Sequence, residues 1–115
     1  MNSVIIYGKL SNVITRVVIN KSIETKFNKD LRQGLFNAEV RDLIEYWITE
    51  IEELGYEEYL KSELFRMLND HDLKKDRQGQ RSITLDQNGG RLIYSVIKNA
   101  IVIKVIKITS DHDYT

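Results

Sequence analysis

The apolar positions along this 115-residue chain follow three successive rhythms. Val4 to Tyr7 and Thr15 to Ile19 are β-rich runs separated by the turn-like Gly8 to Asn12, which predicts a strand or hairpin over residues 1–19. After Asn20 the spacing changes to that of a helix: Ile23, Phe27 and Leu31 recur every four residues until Gly34 interrupts them. A second and clearer helical stripe follows Asn37, a good N-cap residue, in Val40, Leu43, Ile44, Trp47, Ile48, Ile51 and Leu54, with Gly55 as its stop. Tyr56, Tyr59, Leu60, Leu64, Phe65 and Leu68 then predict a third helix, so helices occupy residues 20–69. Such aromatic and leucine stripes are usually core, which assigns Trp47 and Phe65 to packing and not to base stacking.

From Arg81 the period becomes two. Ser82 to Leu85 alternates, Asp86-Gln87-Asn88-Gly89-Gly90 is a hairpin turn with Asn-Gly at its tip, and Arg91 to Val96 is a strand. Lys98 to Ala100 turns again, and Ile101 to Ile108 is so continuously β-branched that a central strand is expected. The prediction is one α+β domain over residues 1–115: an antiparallel sheet ending in a three-stranded meander over 81–109, packed on one face by two to three helices.

Composition narrows the class. With 42% hydrophobic and 30% charged residues the chain can bury a core and remain soluble. It has no cysteine, which excludes disulfides and thiolate metal sites. The N-terminus has no signal-peptide pattern and no apolar run approaches the roughly 20 residues of a membrane span, so a cytoplasmic protein without membrane contact is expected. The zero net charge hides a division: residues 38–72 hold three Lys/Arg against eleven Asp/Glu, whereas residues 73–107 hold eight against two. This is either ordinary solvated surface or a polyanion-facing sheet with acidic helices behind it.

Three segments carry a resemblance to a known family. Leu73 to Leu85 is a basic loop entering a strand, Gly90-Arg91-Leu92-Ile93-Tyr94-Ser95-Val96 is a strand opened by arginine, and Ile101 to Ile108 is a final apolar strand. With Val17 to Leu31 as a strand entering a helix and the Asp111-His112-Asp113-Tyr114 ending, the chain resembles the RelE/ParE toxin superfamily over about two thirds of its length. The resemblance implies a RelE-like fold and the toxin of a type II toxin–antitoxin system. It implies an endoribonuclease cleaving mRNA on the ribosome without metal or other cofactor, with a cognate antitoxin protein, mRNA and the ribosome as partners. Three features depart from the family. The N-terminal strand is an addition to the compact members, the helical region Asn37 to Asn69 is longer than theirs, and Ser82 and Thr84 stand where ribosome-dependent members often carry lysines.

Metal-free RNA cleavage requires a base for the 2′-hydroxyl, a cation for the charged phosphorane and an acid for the leaving 5′-oxygen. Arg91 matches the family's phosphate-binding arginine and opens an apolar strand, where a charge needs a reason; the bland alternatives are an edge gatekeeper or a partner for Asp86. Both histidines, His71 and His112, lie in Asp-His-Asp triplets, where a neighbouring carboxylate can orient an imidazole. His112 is a candidate acid or base, or part of a polar tail. His71 is a second acid/base group on the loop before the basic strand, or simply a polar residue after a helix. Tyr114 and Arg81 are candidate assistants at the phosphate, and Lys74, Lys75 and Arg77 candidate RNA contacts. The triplets match no standard metal-site spacing. On the same fold a non-enzymatic inhibitor of DNA gyrase is the alternative, and an antitoxin or immunity-type binder with acidic helices a third.

Overall fold

The computed structural model describes residues 15–74, 77–97, 99 and 102–110. The expected strand or hairpin before Thr15 lies outside them. Strand β1 (Arg16–Val18) leads to Asn20, whose side chain accepts the Ile23 backbone N–H at 3.0 Å and so caps α1 (Lys21–Arg32). Lys29 and Arg32 in the last turn suit the negative end of the helix dipole. Helix α2 (Val40–Leu54) buries Val40, Ile44, Trp47 and Ile51, the stripe that the spacing predicts, and ends at Gly55 with φ of 85°. Asn37 is not its cap. It belongs to a turn whose carbonyl accepts the Val40 N–H at 3.1 Å, and Glu39 occupies the cap position without a side-chain bond.

The expected third helix is two short ones, α3 (Tyr56–Tyr59) and α4 (Glu63–Met67). Ser62 breaks it: its hydroxyl donates to the Tyr59 carbonyl at 2.7 Å and accepts the Phe65 N–H at 3.2 Å, starting a new helix. The apolar stripe continues across the break, since Tyr56, Tyr59, Leu64 and Leu68 are all buried.

The sheet has the order β1-β5-β4-β3-β2, with β2 (His71–Asp72), β3 (Gln80–Thr84), β4 (Arg91–Ile97) and β5 (Val102–Thr109). The meander β3-β4-β5 is antiparallel, as expected, and β5 is internal, between β4 and β1. Two pairings were not anticipated: β1 runs parallel to β5, and the segment after α4 forms β2, an antiparallel edge strand on β3. The inward positions Ile83, Leu92, Tyr94, Ile103, Val105 and Ile108 form one cluster with Trp47, Ile51, Tyr56 and Tyr59. Trp47, Tyr59 and Tyr94 are fully buried, so the helices cover one face of the sheet as the sequence predicts. Among the described residues no helix is long and apolar enough to cross a membrane.

Candidate functional site

Side chains alternate between sheet faces along each strand, so register decides which residues meet. His71 lies opposite Ser82, and Thr84 lies opposite Arg91, which in turn faces Thr109. Ser82 and Thr84 share a parity opposite to that of Ile83, so this set faces away from the main core. There it lines an open hollow of about 490 Å³, together with Asn69 and with Asp86, Gln87, Gly89 and Gly90 of the hairpin.

The hairpin is rigid for local reasons. Asp86 Oδ1 accepts the backbone N–H groups of Asn88 at 3.0 Å and Gly90 at 2.9 Å. A Cβ on Gly90 would lie 3.0 Å from that oxygen and 3.2 Å from the Phe36 ring, so any side chain there would have to push one of them aside by a few tenths of an ångström. Asp86 is thereby committed to the turn. Among the described residues, Arg91 is exposed and makes no ion pair or side-chain hydrogen bond. An unpaired guanidinium beside hydroxyls and a histidine is suited to an anion.

His71 is also exposed, and its Nδ1 lies 2.8 Å from the Asn69 carbonyl. A carbonyl only accepts, so Nδ1 carries the hydrogen of that bond. In the neutral ring this leaves the Nε2 lone pair as the proton acceptor. Asn69 aims its carbonyl through a left-handed backbone, with φ of 53°.

Arg81, expected to assist at the phosphate, instead points to the helix-covered face. Its Nε donates to Asp70 Oδ1 at 2.7 Å and its Nη1 to Asp72 Oδ1 at 2.6 Å, and the guanidinium lies 5.6 Å from the Phe65 ring centroid. The physical reason is parity: Arg81 lies opposite Asp72 and Tyr94, on the inward side. Lys74 and Arg77 are exposed on the loop between β2 and β3 and are not among the residues that line the hollow. Lys75, His112 and Tyr114 lie outside the described residues.

On the helix-covered face of the same strands is a buried polar network that the residue pattern signals only indirectly. The Asp70 side chain is fully buried, and its Oδ2 accepts the hydroxyls of Tyr59 and Tyr94, each at 2.6 Å. Tyr59 in turn accepts Trp47 Nε1–H at 3.0 Å, and the Tyr56 and Tyr94 hydroxyls are 2.9 Å apart. Burial and then the Asp70 charge push the Tyr59 and Tyr94 hydroxyls well above the ordinary tyrosine range; burial also raises Tyr56. Burial is the largest single influence on Arg81 and opposes its charge, but the hydrogen bond to Asp70 and the Asp70 charge, with smaller contributions from Tyr56 and Tyr94, together outweigh it and hold the guanidinium protonated. The usable signal was that tyrosines on an apolar stripe need a buried partner. Among the described residues no three His, Asp or Glu side chains gather as metal ligands would.

No family model and no curated protein sequence matches the chain. Solved structures do. The YoeB/ParE toxin from Agrobacterium tumefaciens superposes with a TM-score of 0.59 at 17% identity, over 84% of this chain and 98% of that one. The YoeB–YefM complex from Staphylococcus aureus gives 0.58 at 17% identity, over 87% and 98%. HP0892 from Helicobacter pylori, a conserved hypothetical protein, gives 0.53 at 15% identity, over 84% and 94%. The chain therefore has the fold of the YoeB/ParE-type, RelE-like toxins.

Proposed function

We propose that this protein is the toxin of a type II toxin–antitoxin pair and cleaves mRNA held on the ribosome by metal-independent acid/base chemistry. The observation that carries the reading is that Arg91 and an imidazole, His71, each with a side-chain nitrogen that has no partner among the described residues, line one hollow. In this mechanism His71 Nε2 takes the proton of the 2′-hydroxyl as its oxygen attacks the adjacent phosphorus. Arg91 binds the two non-bridging oxygens of the phosphorane, where a rigid fork matches the developing charge. Thr84, opposite Arg91, and Ser82, opposite His71, supply hydroxyl donors at the same place. The bond to the 5′-oxygen then breaks, leaving a 2′,3′-cyclic phosphate, and an acid returns a proton to the 5′-hydroxyl product. The resemblance makes His112 a candidate general acid or base, which here takes the acid role, with Tyr114 assisting. RNA is the substrate because DNA lacks the attacking hydroxyl. A cognate antitoxin is the expected protein partner, the S. aureus homologue of the fold having been solved with YefM.

The test is expression of the wild type, Arg91→Ala, His71→Ala and His112→Ala in a bacterium, with mapping of new 5′ ends in message. Growth arrest with new ends from the wild type, lost in Arg91→Ala and His71→Ala, is expected. Arrest that persists in both variants rules out this mechanism. Ser82 and Thr84 standing in place of lysines favours a second reading, a non-enzymatic inhibitor of DNA gyrase. That reading predicts blocked supercoiling with intact message.

A further inference from the structure

We infer that Arg81 is a positioning residue for His71: from the helix-covered face it grips Asp70 and Asp72 and so fixes the imidazole between them at the hollow on the other face. The inference rests on the reading of the hollow as the cleavage site. Strand β2 has only two residues and lies at the sheet edge. Its flanking backbone bonds, Thr84 N–H to the Leu68 carbonyl at 2.9 Å and Leu73 N–H to the Gln80 carbonyl at 2.8 Å, leave a short segment with little ladder of its own. Such edges open readily unless side chains hold them.

Two carboxylates and a guanidinium hold this one. Residues 70 and 72 share one side of the strand and 71 takes the other. Arg81 lies directly across from Asp72, and its two nitrogens reach carboxylates two residues apart at 2.7 and 2.6 Å. A planar fork can bridge both; an ammonium is a single point and cannot hold the same pair of directions. The inner end is anchored, because the second oxygen of Asp70 is held by Tyr59 and Tyr94. The outer end is at the surface: Asp72 is 73% exposed. Fixing β2 also fixes Asn69 just before it, whose carbonyl sets the Nδ1–H tautomer of His71. The Asp-His-Asp triplet is therefore two anchors flanking one presented ring.

Arg81→Lys keeps the charge and loses the fork; Asp72→Asn alters only the exposed anchor and guards against a folding failure. Ring ¹⁵N shifts of His71 in the full-length labelled protein read its tautomer without reference to activity. The expected result is a single Nδ1–H form in the wild type and a mixed, averaged ring in both variants, with the Trp47 indole signal unchanged. Misplacement of a reacting group by about 1 Å costs on the order of 10²-fold. RNA cleavage by Arg81→Lys should therefore fall in kcat by roughly that factor at similar KM, and fall no further in a His71→Ala background. An unchanged His71 ring in Arg81→Lys overturns the inference, as does an equal loss of cleavage in the His71→Ala background. If the wild type cuts no RNA, the proposed function fails while the ring spectra still decide the positioning role.

Discussion

Arg81 is the second residue of β3 and Arg91 the first of the neighbouring β4, and their surroundings are opposite. Arg81 has a side chain only 17% exposed, lies across an aromatic ring and is tied to two carboxylates. Arg91 is exposed, without a paired charge among the described residues, and faces a hollow shared with His71 and two hydroxyls. The difference comes from strand parity alone. Arg81 has the parity of Ile83 and looks into the helices, whereas Arg91 pairs with Thr84 and looks out. A guanidinium paired within the protein cannot lose its partner without leaving a buried charge; one left unsatisfied at the surface is available to a ligand. The two faces of one sheet edge thus divide into support and site.

The largest effect on the support face is expected at Asp70. Replacing it with Ala leaves the Arg81 fork with its exposed partner only and strips the Tyr59 and Tyr94 hydroxyls of their acceptor. Removing one partner of a buried ion pair typically costs about 3–5 kcal/mol. Urea unfolding of Asp70→Ala should show a loss of that size. A change below about 1 kcal/mol would mean that the network is ornamental.

Alkali tests the same network less drastically. Burial and Asp70 raise the folded-state pKa of Tyr59 and Tyr94 above the unfolded value of about 10. Their contribution is therefore fully present below about pH 10. It is lost as pH rises further, because the unfolded chain releases protons that the folded chain retains. Each tyrosine adds up to about 1.4 kcal/mol of lost stability per pH unit in that range. Tyr94→Phe should unfold more easily at pH 8 yet lose stability less steeply between pH 10 and 11. Parallel curves for the two proteins would show that Tyr94 does not titrate with unfolding.

Much of this arrangement was legible in the chain. The Val40 to Ile51 stripe, the Asn88-Gly89 hairpin and the β-branched run to Ile108 each repeat a pattern long enough to be recognised, and each forms the element expected. What was not legible depends on contacts between distant segments. A two-residue strand has no period to detect, so His71 and Asp72 were indistinguishable from a polar loop. The break at Ser62 is a side-chain choice invisible to an apolar stripe that continues through it. Arg81 was placed among phosphate contacts because a basic run precedes it; its direction is set by pairing with Asp72, which charge content does not report. Of the candidate site, Arg91 and His71 were identifiable as residues. Their shared hollow needed the register of β2, β3 and β4.

The smallest structural effect separates the two arginines most cleanly. Arg91→Ala removes an exposed side chain with no ion pair or side-chain hydrogen bond among the described residues. Surface changes of that kind usually stay within about 0.5 kcal/mol of the parent. The hairpin beside it is held by Asp86 and the backbone of Asn88 and Gly90, none of which needs the guanidinium. Removing a preorganised group that stabilises transition-state charge typically costs about 10²–10³ in rate. Arg91→Ala should therefore unfold with the wild type in urea and lose cleavage by roughly that factor, while Arg81→Lys loses activity together with the fixed ring of His71. If Arg91→Ala is strongly destabilised, the residue belongs to the support and not to the site, and the division between the two faces no longer holds.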